Sequence, residues 1–122
     1  MASISPMLSY EDPAGAIAFL KRAFGFRADD GDASGNWLSL GDSTISVWGV
    51  WQEAGFASPR TLEKVPSQLW CEVDDIDAHY ERALAEGAVV VGPPDDIGHG
   101  IRAYRAIDVE GHRWFFGSRV RD

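Results

Sequence analysis

Two stretches of this 122-residue chain carry the same order of apolar and polar positions. MLSYEDPAGAIAFLKRAFGF (7–26) passes from a short apolar segment through acidic residues into Ile17, Leu20 and Phe24, which recur at helical spacing and stop at Gly25. Asp12 can cap that helix and Pro13 suits its first turn. LWCEVDDIDAHYERALAEGAVV (69–90) repeats the plan: Asp74 or Asp75 caps, Ile76, Tyr80, Ala83 and Leu84 form the apolar stripe, and Gly87 ends it. The capping positions Asp12 and Asp75 lie about half the chain apart, a spacing that predicts an internal duplication rather than a solenoid.

After each helix the pattern changes to short alternating runs. GNWLSL and STISVWGV, joined by a turn at Gly41 and Asp42, follow the first; AVVVG, GIRAYRAID and HRWFFGS, broken by GPPDD and VEG, follow the second. Each half therefore reads strand, helix, then two or three strands, and the whole predicts an α+β fold in one domain. Module 1 covers about 1–50, a linker about 50–66 and module 2 about 67–122. GHRWFFGS (111–118) poses the sharpest question. Successive side chains in a strand point to opposite faces, so Trp114 and Phe116 look one way and Phe115 the other, and something must cover Phe115 or wait for it.

Composition narrows the classes. The 45% hydrophobic and 25% charged residues are ordinary for a soluble globular domain, and no apolar run nears the roughly 20 residues that span a bilayer. No charged-then-apolar leader opens the chain. A single cysteine, Cys71, allows no internal disulfide, which agrees with a reducing, cytoplasmic location. The net charge of −8 repels phosphate backbones and anionic membranes, so neither nucleic acid nor membrane is expected as a partner.

The duplicated order, with VDDIDAHYERALAEGA (73–88), IDVEGHRWFFG (107–117) and DPAGAIAFLKRAFGF (12–26), resembles the vicinal oxygen chelate superfamily. That group includes glyoxalases, extradiol dioxygenases, fosfomycin-resistance enzymes and bleomycin-resistance binding proteins. The resemblance implies two βαβββ modules in tandem, forming a curled mixed sheet around a cleft, so that each strand has a helix-packed face and a cleft face. Leu8, Ile45, Val47, Leu69, Cys71, Val73, Trp114 and Phe116 are expected toward the helices. Met7, Ser46, Trp48, Gln68, Trp70, Glu72, Arg113 and Phe115 are expected toward the cleft.

The family's enzymes place His or Glu ligands on the cleft faces of the first and last strands of the modules. Carried over, those positions fall at Ser5, about Ser46, Gln68 and Phe115, none of them an ordinary ligand for a divalent ion. A register error does not change this, because residues 1–10, 43–52 and 113–118 contain no His, Asp, Glu or Cys. Only the strand around Leu69 offers candidates, Cys71 and Glu72. No metal and no cofactor are expected. Of the histidines, His79 reads as a helix-surface residue and His112 as a turn residue bonding local backbone. His99, between two glycines beside Asp95 and Asp96, is a candidate for gating or for acid–base work.

Without a metal, the expected cleft presents Trp48, Trp70 and Phe115 with Gln68, Glu72 and Arg113 as polar neighbours, the usual recipe for a small-molecule pocket. The ligand-binding set is thus Trp48, Gln68, Trp70, Glu72, Arg113, Phe115 and His99. The expected partner is a small hydrophobic or cationic aromatic molecule. Asp29, Asp30, Asp32, Asp95 and Asp96 are candidates for attracting a cation, against the plainer reading of solvated turns. Family members of this length commonly form dimers, so the resemblance also implies a homodimer, which would cover Trp37, Trp51 and Phe56. The expected function is metal-independent binding of the bleomycin-resistance type, sequestering an antibiotic-like molecule rather than transforming it. The alternatives are a lyase, isomerase or hydrolase using Glu72 or His99 or an atypical metal site, and a module whose aromatics merely fill the cleft.

Overall fold

The computed structural model describes residues 2–29 and 31–120. Its order is β1 (Met7–Tyr10), α1 (Pro13–Phe24), β2 (Arg27–Ala28), β3 (Trp37–Leu40), β4 (Ser43–Gly49), β5 (Leu69–Glu72), α2 (Ile76–Ala85), β6 (Val89–Gly98), β7 (Ile101–Ile107) and β8 (Arg113–Arg119). Two four-stranded mixed sheets result, ordered β1-β4-β3-β2 and β5-β8-β7-β6. In each the first strand lies parallel to the last, Met7 beside Ser46 and Trp70 beside Phe115, and the other pairs are antiparallel. This is the expected α+β architecture of tandem βαβββ units, and the sheets do not close.

Both helices begin where a side chain can satisfy their free N–H groups. Asp12 accepts from the Gly15 amide and Asp75 from the Ala78 amide. Gly25 ends α1 at φ 84°, in the left-handed region where a side chain would be strained, and its amide returns to the Leu20 carbonyl. Phe19, Leu20, Ala23 and Phe24 then form the buried face of α1.

The expected stripe on α2 needs correction. Ile76 and Ala83 are buried and Tyr80 packs against the core, but Leu84 is exposed. The inward position goes to His79, which completes the i, i+3, i+4, i+7 row with Ile76, Tyr80 and Ala83. The GPPDD break is also absent. β6 runs through it as the edge strand of its sheet, with irregular pairing between Val91 and Asp95, and an edge is where proline costs no ladder bond. The segment between the modules is not bare linker: it holds two short 3-10 turns and a bridge between Trp51 and Phe56.

One core serves both modules. Leu8, Ile45, Val47, Trp114 and Phe116 are buried in it, with Leu69, Cys71 and Val73 packed at its margin, as the face assignment expects. Phe24 of α1 reaches across to Trp114 and Phe116, with ring centroids 5.4 and 4.8 Å away. The inner sheet faces and helices are therefore shared, and the other face of each sheet turns outward.

Candidate functional site

The seam between the modules is organised by two carboxylates in the turn before β8. Asp108 accepts the Tyr10 hydroxyl at 2.5 Å, the Trp114 indole N–H at 3.0 Å, and the backbone N–H groups of Glu110, Gly111 and His112. Burial, and then the charge of Asp108, drive the Tyr10 hydroxyl well above its ordinary pKa, so it stays a donor. Glu110 accepts the backbone N–H groups of Glu11 and Asp12 at the start of α1, and the Ser58 hydroxyl from the connecting segment. Its burial favours the neutral form, but these bonds and the charge of Arg60 outweigh that and hold its pKa below the ordinary value. Neither acid was singled out from the sequence, although both lie within the IDVEGHRWFFG stretch; an acid two residues from another just ahead of a Gly turn is the signal that points to them. Their work is to lock module 2 onto the entry of α1.

Two of the three histidines join this frame. His112 does not bond local backbone through its ring: Nε2 meets the Ser9 carbonyl at 2.9 Å, 103 residues away, and the ring packs on Tyr10. His79 is not a surface residue. Its Nε2 lies 3.0 Å from the Phe24 carbonyl and its Nδ1 2.7 Å from the Tyr104 hydroxyl. A carbonyl only accepts, so Nε2 carries the proton, and burial lowers the ring's pKa and keeps it neutral. His99 stands in the exposed β6–β7 turn with φ 55°.

The outward faces carry the remaining expected residues, in two groups. On sheet 1, Met7, Ser9, Trp48, Trp51 and Phe56 line a concavity of about 440 Å³ whose described walls hold no ionisable side chain. Met7, Trp51 and Phe56 are 65%, 63% and 54% exposed. Trp37 stands edge-on to Trp48, whose N–H donates to Ser46 at 2.7 Å. On sheet 2, Trp70 and Phe115 meet edge-to-face at 5.1 Å, and the Arg105 guanidinium lies 4.4 Å from the Phe115 ring centre. Phe115 is thus covered by Trp70 and Arg105. Trp70 can lie this close only because residue 117 is glycine; a Cβ there would collide with the indole.

Trp48 is not brought together with Trp70 and Phe115. It lines the hollow on sheet 1, whereas Trp70 borders a separate one with Ile4, Ile45 and Leu69. Gln68 and Arg113 line a third concavity, of about 590 Å³, with Arg105 and Lys64. Glu72 is ion-paired with Arg119 at 3.2 Å. Asp29 and Asp32 bond Ser39, Ser34 and the Trp37 amide, and Asp95 and Asp96 bond amides of their own turn. Asp30 lies outside the described residues.

The residues at the family's ligand positions do not fit a divalent ion. Ser5 is bonded to the Thr44 hydroxyl at 2.7 Å, Ser46 is fully buried under Trp48, and Phe115 is an aromatic ring under a cation. Cys71 faces the helix side, where burial pushes its thiol up to about 11. Among the described residues no three or more His, Cys, Asp or Glu side chains gather where they could hold an ion.

Duplicated βαβββ units around one shared core, with aromatic outward faces, define the class of fold. The chain belongs to the glyoxalase/bleomycin resistance protein/dioxygenase superfamily, whose sequence model matches residues 4–116. It is 33% identical to an uncharacterized protein of Mycobacterium bovis over 129 residues, covering 98% of this chain and 85% of that one. Among solved structures it is similar to TioX from Micromonospora sp. ML1, at 30% identity and TM-score 0.73, covering 98% of this chain and 100% of that chain. A family enzyme of Burkholderia phytofirmans, 20% identical with TM-score 0.73 over 93% of this chain and 95% of its own, shares the fold. No helix of the described residues is long and apolar enough to cross a membrane.

Proposed function

We propose that this protein binds a small, largely planar, hydrophobic molecule without a metal and sequesters it rather than transforming it. The observation that carries this reading is the hollow of Met7, Trp48, Trp51 and Phe56, where exposed indole and phenyl faces meet with no ionisable group in the wall. Ring faces of this kind stack on planar ligands, each good aromatic pair adding about 0.5–1.5 kcal/mol beyond the area it buries. The alternative use of the same surface as filler is disfavoured because the described residues leave Trp51 and Phe56 more than half exposed.

A second copy of the chain belongs to this proposal. Each sheet spends one face on the shared core, and among the described residues the hollow around Trp48 and the one beside Trp70 share no lining residue. A homodimer that lays one outward face over another would turn open hollows into a cleft and cover Val89, Val91 and Trp70 as well. The acid–base alternative finds Glu72 already paired and His99 in an open turn, so no arrangement favours it.

Tryptophan fluorescence tests the reading. Planar aromatic probes such as 2-naphthalenemethanol and acridine should quench it saturably, at one probe per chain, with saturation moved to higher probe concentration in Trp48→Ala and Trp51→Ala. Absence of saturable quenching across such probes, or stoichiometric metal in protein purified without chelator, would overturn it.

A further inference from the structure

The outward face of sheet 2 differs from that of sheet 1 in one respect that bears on what the ligand is. In the β7–β8 register Arg105 pairs with Phe115 and Ile107 with Arg113, so all four side chains share the outward face. Arg105, Arg113 and Lys64, from three separate segments, line the concavity of about 590 Å³, and Glu63 is the one carboxylate among its lining residues. The chain has 19 acidic against 11 basic residues, so carboxylates are in excess. Arg22, Arg60, Arg102 and Arg119 each have one, within 3.2 Å. Among the described residues Arg105, Arg113 and Lys64 form no ion pair, as Lys21, Arg27 and Arg82 form none, although β6 carries Asp95 and Asp96 on the same sheet.

Three unpaired cations gathered in one hollow of an acidic protein focus positive potential there, against the sign of the molecule as a whole. Resting on the reading above, we infer that the ligand is an organic anion: a planar or apolar body bearing a carboxylate or phosphate. Its charged group enters this hollow between Arg105 and Arg113, whose planar forks match such oxygens in pairs, with Lys64 as a point charge beside them. Gln68, just before β5, lines the same hollow and supplies a neutral donor. Phe115, under Arg105 and beside Trp70, places an aromatic surface next to the charged end on the same face. The sum makes the hollow selective for sign, whereas the hollow around Trp48 selects only for shape.

Three naphthyl probes of matched size separate the possibilities: 2-naphthoate, 2-naphthyl phosphate and the neutral 2-naphthalenemethanol, titrated by calorimetry into the intact protein. At least one anion should bind tenfold or more tighter than the alcohol, a gap of about 1.4 kcal/mol. The advantage should shrink as salt is raised. Arg113→Gln and Arg105→Gln should each remove most of it, and Arg105→Lys should keep part, the readout in all three being the ratio of anion to alcohol affinity. Which anion gains more tells carboxylate from phosphate recognition. Equal affinities for anions and alcohol, or arginine variants that bind anions as the wild type does, would overturn the inference and leave the binding reading standing. Should no naphthyl probe bind while inorganic phosphate still shifts the side-chain N–H resonances of Arg105 and Arg113, the ring-binding reading falls and the anion site stands. If neither binds, both fall.

Discussion

Trp114 and Trp70 occupy neighbouring strands of one sheet, and their surroundings are opposite. Trp114 is fully buried, its ring against Phe24, Phe26 and Phe116 and its N–H on Asp108. Trp70 pairs one row away, points to the other face and is 46% exposed. The same contrast runs through the molecule. Inside, no buried side-chain nitrogen or oxygen among the described residues lacks a partner, and the aromatics interlock around α1 and α2. Outside, equally large rings cover no core. Stability is thus held by the inner faces of the strands and the proposed recognition by their outer faces, so substitutions should separate the two.

The largest effect belongs to the inner face. Asp108 gathers five donors from both modules, so Asp108→Ala strands the Tyr10 hydroxyl and the Trp114 N–H in a dry interior. A loss of about 3–5 kcal/mol is expected, read as a lower urea midpoint at unchanged slope. A change below about 1 kcal/mol would mean that the seam is not what joins the modules, and would break the comparison at its stronger side.

Glu110 should cost less and carry a pH signature. Glu110→Gln puts an amide donor against the amides of Glu11 and Asp12 and is expected to lose about 1–3 kcal/mol at pH 7. Because the folded chain holds this carboxyl's pKa below the ordinary 4.5, it stays charged where the unfolded chain has already taken up a proton. Its contribution is complete above about pH 4.5 and is lost as the pH falls through the depressed value. Denaturation curves between pH 7 and pH 3 should therefore converge for wild type and Glu110→Gln on the acid side. A constant gap would show that the charge does not fasten α1.

What the sequence made legible was what depends on near neighbours. Asp12 and Asp75 bond amides three residues on, and the two faces around Phe115 follow from strand alternation, so both were readable. Leu84 and His79 were exchanged because hydrophobicity ranks leucine above histidine, whereas packing rewarded the ring that could bond both the Phe24 carbonyl and the Tyr104 hydroxyl. The Glu110 clamp spans 98 and 99 residues, and no local pattern records a partner so distant. The grouping of the outward residues was hidden for a related reason. Alternation tells which face Trp48, Trp70 and Arg113 share, but not that one half presents Trp48 beside Trp51 and Phe56 while the other presents Arg113 beside Arg105 and Lys64.

The smallest stability effect should come from the outer face, and it sharpens the comparison most. Trp51 bridges to Phe56 through backbone groups that do not depend on its side chain, and it is 63% exposed and not among the residues packed on the core. Trp51→Ala is therefore expected to shift unfolding by no more than about 0.5 kcal/mol, since little apolar area leaves water when the monomer folds. The same substitution should weaken binding of 2-naphthalenemethanol by about tenfold, because the ring closes one wall of the hollow beside Trp48. If it instead destabilises the protein by as much as a core truncation, about 3–5 kcal/mol, then something in solution already covers that ring. The concentration dependence of the melting temperature would identify a second copy as the cover, because only an associating chain gains stability as it is concentrated.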